Sequence, residues 1–294
     1  MLNEEIENVD YNSPEWKELA EYEQQQELMP PTPNNPPWNS WIAFGTWIFS
    51  ILMIALVPAV FVMPYAMQKG ISFSDNTGLT EFLKNDTTAV LIQIISVFPA
   101  HIFTLILCWF VVTGFKRYPF FETLGWSNGN FRWYYYPLII VGFFTVAGVV
   151  SHFLPEQDNE MLRLLRSSYT TTLVVAFLAT FTAPLVEEVI YRGVMYSAFQ
   201  RTFGVSGGVV LVTFFFALVH VPQYWGSPGT ILMICLLSLI LTLIRVKTDS
   251  LLPCVILHTI FNGLQSIILV LEPYLPKAIT EPEQKAAAIF KLFS

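Results

Sequence analysis

Two adjacent carboxylates and a guanidinium lie in a stretch of sequence that is otherwise apolar enough to cross a bilayer. The stretch, Ala183 to Gly193, carries the motif Glu187-Glu188-x-x-x-Arg192. A charge at the centre of a spanning helix costs about 2.5–3.5 kcal/mol, so such residues mark pathways, ion pairs or catalytic sites. On a helix Glu188 and Arg192 share a face, whereas Glu187 lies about 140° from Arg192. We therefore expect Arg192 to neutralise Glu188 and leave Glu187 free as a general base.

Two further motifs follow in the second half of the chain, Phe216-x-x-x-His220 and His258-x-x-x-Asn262. His258 and Asn262 share a helix face. Threading the chain as alternate crossings brings His220, His258 and Glu187 to overlapping depths in the membrane. A single membrane histidine is more often a packed side chain, and a single asparagine more often joins two helices. The combination of two histidines, an amide and an unpaired carboxylate at one depth predicts a site.

The composition requires these motifs to be positioned by membrane-spanning helices. Of the 294 residues, 54% are hydrophobic and only 13% are charged, and the mean hydropathy is +0.53. A transmembrane barrel would show short alternating strands instead. The sequence therefore predicts an all-α, polytopic transmembrane bundle with seven crossings, or eight if the first or fourth apolar run is broken in two. The runs cover about 41–67, 88–115, 133–154, 171–203, 207–221, 230–244 and 251–271.

The chain divides into four predicted parts. Residues 1–38 form an acidic, Pro-rich exposed tail, and 39–170 hold N-terminal transmembrane helices and loops. Residues 171–272 form a core that contains all three motifs, and 273–294 are a C-terminal tail that could form an interfacial helix. Lys and Arg in short loops number six on the N-terminal side against four opposite, which favours a cytoplasmic N-terminus. We expect a multi-pass protein of the plasma membrane.

The three motifs, in this order on three of the last four apolar runs, resemble the signature of the CPBP intramembrane proteases. This family includes the CAAX prenyl proteases and the bacteriocin-processing or self-immunity Abi proteins. The resemblance covers about 171–271 and implies a peptidase whose chamber lies within the bilayer. It implies that Glu187, helped by His220, activates a water. It also implies that His258 and Asn262 donate hydrogen bonds to the developing oxyanion, with Glu188, Arg192 and Phe216 supporting.

Metal dependence and the identity of the base each leave an alternative. Family members have also been described as metalloproteases, and Glu187, His220 and His258 could ligate zinc. We favour a mechanism without metal or other cofactor, because the sequence has no His-Glu-x-x-His motif. In the alternative assignment of the base, Glu188 takes the place of Glu187.

The leading hypothesis is an intramembrane endopeptidase that acts on a membrane-associated or lipid-modified protein or peptide. A prenylated protein and a bacteriocin-like leader are both candidate substrates, and no nucleic-acid partner is expected. A proton- or ion-coupled transporter is the second hypothesis, since intramembrane carboxylates and histidines also build proton relays. The sequence shows no internal repeat of the kind many transporters have. A non-catalytic immunity or scaffold protein is the third.

Overall fold

The computed structural model describes residues 13–14, 16–18 and 30–274. Helices and no β-strand occur in these ranges, which confirms the predicted all-α class. Most of the acidic tail and the predicted C-terminal interfacial helix lie outside the described residues. Six described helices are long and apolar enough to cross a membrane, which makes the chain a multi-pass membrane protein. They are Ser40–Gln68, Thr87–Thr113, Tyr135–Phe153, Tyr169–His220, Pro228–Thr248 and Leu252–Tyr274.

The regular helices are α1 Ser40–Gln68, α2 Asn76–Asn85, α3 Thr87–Ile95, α4 Val97–Thr113, α5 Phe120–Thr123, α6 Tyr135–Phe153, α7 Glu160–Ser167, α8 Tyr169–Phe177, α9 Ala183–Glu188, α10 Tyr196–His220, α11 Pro228–Thr248 and α12 Leu252–Leu271. Two π-helical segments, Leu178–Thr182 and Val189–Met195, join α8 to α9 and α9 to α10. Five helices begin where a short polar side chain accepts a hydrogen bond from the first turn, as N-caps do. These caps are Asn39, Asp75, Asp86, Asn159 and Ser168.

The longest helical stretch, Tyr169–His220, folds back on itself at Gly204. Gly204 has φ 72° and ψ 170°, a conformation open essentially only to glycine. The ring centroids of Tyr191 and Phe216 are 4.9 Å apart, whereas the same sequence separation along one straight helix spans roughly 37 Å. A Cβ on Gly208 would lie 3.1 Å from the backbone nitrogen of Gln200. The two arms are therefore antiparallel, and they correspond to the separate apolar runs predicted at 171–203 and 207–221.

The two π-helical segments bracket the pair of carboxylates. In the first, the Ala183 N–H donates to the carbonyl of Leu178, five residues earlier. In the same register the Ala179 carbonyl would need an N–H from Pro184, and proline has none. Pro184 therefore leaves a carbonyl of the preceding turn for another donor. Single π-helical turns are rare and occur frequently at functional sites.

Residues 33–38, which we call the N-terminal strap, lie against the helix ends and correct part of the predicted exposed tail. Trp38 is buried, and its indole N–H donates to the Val194 carbonyl over 2.9 Å. The carbonyl of Pro33 accepts from the buried Arg245 guanidinium over 2.6 Å and from the Ser197 hydroxyl over 2.7 Å. Buried donors need acceptors, and this segment of non-helical, Pro-rich backbone supplies them. Composition alone did not show this.

Candidate active site

The motif residues come from three parts of the bundle. Glu187 and Glu188 end α9, and Arg192 lies in the second π-helical segment. His220 ends α10, on the arm that returns after Gly204. His258 and Asn262 lie one helical turn apart on α12. The hairpin at Gly204 therefore brings the second motif alongside the first, and α12 packs against α9 from the other side.

Glu188 forms a fully buried ion pair with Arg192. The side chains of both residues are 0% exposed, and Arg192 Nη1 lies 2.8 Å from Glu188 Oε1. The same carboxylate oxygen accepts from His258 Nδ1 over 2.7 Å. The pair predicted from the i,i+4 spacing is formed, but its contact with His258 comes from another helix and was not predicted.

Arg192 is held by α11 through two small polar residues that the sequence interpretation missed. Its Nη2 atom donates to the Ser238 carbonyl over 2.9 Å and to the Ser238 hydroxyl over 2.8 Å. Its Nε atom donates to Thr242 Oγ1 over 3.3 Å. The guanidinium carbon also lies 4.8 Å from the ring centroid of Phe216, within cation–π range. Ser238 and Thr242 could have been found from the sequence, because their i,i+4 spacing in an apolar run puts two hydroxyls on one helix face.

Glu187 remains outside this buried network. Its side chain is 24% exposed, and its Oε2 atom lies 3.8 Å from His258 Nε2. That separation is too long for a direct hydrogen bond, and a water bound to both atoms could bridge it. Glu187 is thus the accessible carboxylate of the two, and His258 lies between them.

The hydrogen-bond partners of the two histidines determine their neutral tautomers. His258 Nδ1 faces a carboxylate oxygen, and His220 Nδ1 lies 2.6 Å from the Phe216 carbonyl. Because both partners accept, each Nδ1 carries the hydrogen, and each Nε2 of a neutral ring has a free lone pair. The His220 and His258 ring centroids lie 4.8 and 6.1 Å from that of Phe216. Phe216 therefore positions two proton acceptors around one ring.

Asn262 fastens α12 to the turn that precedes the carboxylates. Its Nδ2 atom donates to the Ala179 carbonyl over 2.8 Å, and this is the carbonyl that Pro184 cannot serve. The Ser266 hydroxyl, one turn further along α12, lies 3.0 Å from that of Thr180. Since an amide nitrogen carries two hydrogens, one Asn262 N–H remains available for another acceptor.

Tyr224 lies close to the site and was not singled out from the sequence. It lies in the connection between α10 and α11, and its N–H donates to the His220 carbonyl over 3.2 Å. Burial, with the negative charges of Glu156 and Glu187, raises the pKa of Tyr224 to about 12. Its phenol therefore stays neutral at physiological pH, within the electrostatic reach of Glu187. The sequence did contain a pattern that includes Tyr224, because this residue continues the four-residue spacing of Phe216 and His220.

His101 contacts the same region from α4. Its Nδ1 atom lies 2.9 Å from Thr182 Oγ1, and this hydroxyl is within 3.1 Å of the Leu178 carbonyl, to which it donates. Thr182 therefore accepts from His101 Nδ1. His101 thus fastens α4 to the first π-helical segment.

Glu187, His220 and His258, the alternative zinc ligands, are not arranged as a three-ligand site. Within the ranges that the structure describes, no group of three His, Cys, Asp or Glu side chains is arranged to hold a metal ion. The Nδ1 hydrogens of both histidines are donated to protein acceptors, a pattern that metal-ligating histidines also show, so the two Nε2 lone pairs stay accessible. As they are placed, the described donors therefore do not form a three-ligand metal centre.

Comparison with known protein families gives a match over the segment that contains all three motifs. Residues 169–264 match the family described as type II CAAX prenyl endopeptidase Rce1-like. No curated protein and no solved structure matches the chain.

Proposed function

Because residues 169–264 form a domain of the Rce1-like type II CAAX prenyl endopeptidase family, we propose that this chain hydrolyses a peptide bond of a membrane-associated or lipid-modified protein, with Glu187 as the general base. The match confirms the resemblance seen in the motifs, and the family implies an intramembrane protease with a protein substrate. It also favours a peptidase over the transporter and scaffold hypotheses. The observation that supports the choice of base is the difference in burial and pairing between Glu187 and Glu188.

Glu187 activates the water in this mechanism. Its carboxylate is accessible, and a water beside it can also hydrogen-bond to His258 Nε2 across the 3.8 Å gap. Glu187 accepts a proton from this water as the water's oxygen attacks the scissile carbonyl carbon. Glu188 cannot serve as readily, because its charge is compensated by Arg192 in a site closed to water.

The histidines act through their Nε2 atoms. His220 Nε2 accepts the proton that Glu187 took from the water and delivers it to the leaving amine as the C–N bond breaks. His258 can donate to the oxyanion from Nε2 only after that atom has gained a proton, because its neutral ring carries the hydrogen on Nδ1. The remaining amide hydrogen of Asn262 can donate without any change of charge. This division refines the roles that the family resemblance implied for His258 and Asn262.

The finer details of substrate and setting are also proposals. A prenylated C-terminal peptide and a bacteriocin-like leader both present a peptide bond close to the membrane, as a carboxylate base on a membrane-spanning helix requires. We place the N-terminus, and with it the N-terminal strap and the Gly204 turn, on the cytoplasmic side of the plasma membrane, following the distribution of Lys and Arg in the short loops.

Comparison of protein termini in membranes from matched cells tests the peptidase function. Mass spectrometry would compare cells expressing the wild-type chain, Glu187→Gln and the control Glu122→Gln, whose side chain is exposed on the short helix α5. We expect at least one new peptide terminus with wild type and Glu122→Gln that is absent with Glu187→Gln. Identical termini in all three samples would count against a peptidase.

A further inference from the structure

A half-open cavity with a cationic rim lies at the end of the bundle opposite the N-terminal strap. Its volume is about 280 Å³, and it lies between α2, α3 and α7. Leu83, Val90 and Leu164 provide apolar walls, and Lys84 and Arg163 carry the positive charges. None of these residues belongs to the candidate active site.

The charged groups at the rim sum to one net positive charge. Lys84 Nζ lies 3.2 Å from Glu160 Oε1, and Arg163 pairs with the other oxygen of the same carboxylate. Partial burial raises the pKa of Glu160, but the hydrogen bonds and charges of Lys84 and Arg163 outweigh it and lower the pKa below its ordinary value. Glu160 is therefore ionised at neutral pH, and one anion faces two cations.

Most donors of the neutral lining residues are already used within the protein. The Gln93 amide donates to the carbonyls of Leu83 and Ala89. The Thr80 and Ser167 hydroxyls donate to backbone carbonyls of their own helices. In contrast, Lys84 uses one of its three N–H groups and Arg163 uses two of its five. The donors that remain at this cavity are cationic, and they suit a ligand with several acceptor oxygens.

The cavity also lies where a lipid headgroup would be. Helix α2 connects the spanning helices Ser40–Gln68 and Thr87–Thr113, and α7 connects Tyr135–Phe153 to Tyr169–His220. Both short helices are therefore at the membrane boundary. Val90 and Leu164 belong to an apolar cluster that continues between the spanning helices. A phospholipid has the same arrangement: its phosphate oxygens would lie at the cationic rim, and its apolar carbons would lie below them, against the apolar walls.

We propose that this cavity binds the headgroup phosphate of an anionic phospholipid, with its glycerol and first acyl carbons against Leu83, Val90 and Leu164. Positive charge near the membrane surface attracts anionic lipid. The bound lipid would brace α7 against α8, whose start is held by a hydrogen bond of 2.9 Å from Thr172 Oγ1 to the Leu165 carbonyl. Helix α8 leads to the carboxylates of the candidate active site.

Native mass spectrometry of the full-length detergent-purified chain, titrated with phosphatidylglycerol or phosphatidylcholine, tests this proposal. We expect clear preference for phosphatidylglycerol, and about 30-fold weaker binding in the double variant Lys84→Gln and Arg163→Gln. Arg166→Gln is the matched control, because Arg166 lies on the same helix but pairs with Asp158 outside the cavity lining. Glu160→Gln should strengthen binding, since it removes the only anion of the rim group.

A variant that binds more tightly cannot be explained by misfolding, so Glu160→Gln keeps the test decisive. Equal binding of the two lipids, equal weakening by Arg166→Gln, or weaker binding by Glu160→Gln would each overturn the proposal. Competition by inorganic phosphate as effective as that of phosphatidylglycerol would also overturn it, because the site would then recognise free phosphate. These readouts do not involve peptide cleavage and are independent of the proposed peptidase activity.

Discussion

Replacing each of the adjacent glutamates with glutamine separates a catalytic from a structural carboxylate. Glu187→Gln removes a charge that is 24% exposed and whose ion-pair distance to His258 is 3.8 Å. We expect the free energy of unfolding to change by less than about 1 kcal/mol. The cleavage rate should fall by about 10²–10⁴, the usual contribution of a general base. That loss corresponds to about 2.7–5.4 kcal/mol in the activation barrier.

Glu188→Gln should act mainly on stability. It would leave the fully buried Arg192 guanidinium without the carboxylate that lies 2.8 Å away. Removing one partner of a buried ion pair costs about 3–5 kcal/mol. The amide oxygen of the glutamine can still accept from His258 Nδ1, but that hydrogen bond loses its charge assistance and weakens. We therefore expect a large fall in the yield and melting temperature of this variant.

The assay combines both measurements on the same preparations. Cleavage of the peptide found by the comparison of membrane termini is measured in proteoliposomes and divided by the amount of folded protein. Thermal unfolding of each variant is followed separately. The assignment is refuted if Glu187→Gln keeps more than a tenth of the activity. It is also refuted if Glu188→Gln melts like wild type and yet is inactive, because Glu188 would then be the base.

Three further substitutions test the elements that position the site. Asn262→Leu leaves a carbonyl of the first π-helical segment without its donor, and should cost about 1–3 kcal/mol in thermal unfolding as well as activity. Gly204→Ala should destabilise by about 1–3 kcal/mol, since its φ of 72° and ψ of 170° suit only glycine, whereas Gly142→Ala, inside α6 with open space around it, should not destabilise. Arg245→Leu removes the buried donor to the Pro33 carbonyl of the N-terminal strap and should speed limited proteolysis there, while Lys247→Leu, at an exposed position of the same helix, should change it much less.

The spanning helices were predictable because apolar length is a local property. Each apolar run of the sequence corresponds to a spanning helix or to one arm of the hairpin at Gly204. The prediction of an exposed tail failed at residues 33–38 because the contacts of this segment are not local in sequence. Its Pro-rich composition says nothing about Arg245 and Ser197, which lie far away in sequence and need the Pro33 carbonyl as acceptor.

Within the candidate site, contacts inside one helix were predictable from the sequence, whereas contacts between helices were not. Spacing alone indicated that Glu188 pairs with Arg192, because four residues make nearly one helical turn. Spacing could not show that His258 contacts Glu188, since that hydrogen bond joins two helices. Nor could it show that Asn262 serves the carbonyl left free before Pro184, which depends on the π-helical register.

Residue types and local spacing therefore established a helical membrane bundle, the three motifs and the one carboxylate without an intrahelical partner. These follow from apolar length and helical periodicity, which act within a few turns of the chain. The folded chain alone could show that Gly204 reverses the longest helix, that the Phe216 ring contacts both histidine rings, and that α11 completes the shell around Arg192. Those arrangements arise from packing between distant segments, where buried donors and charges must find partners.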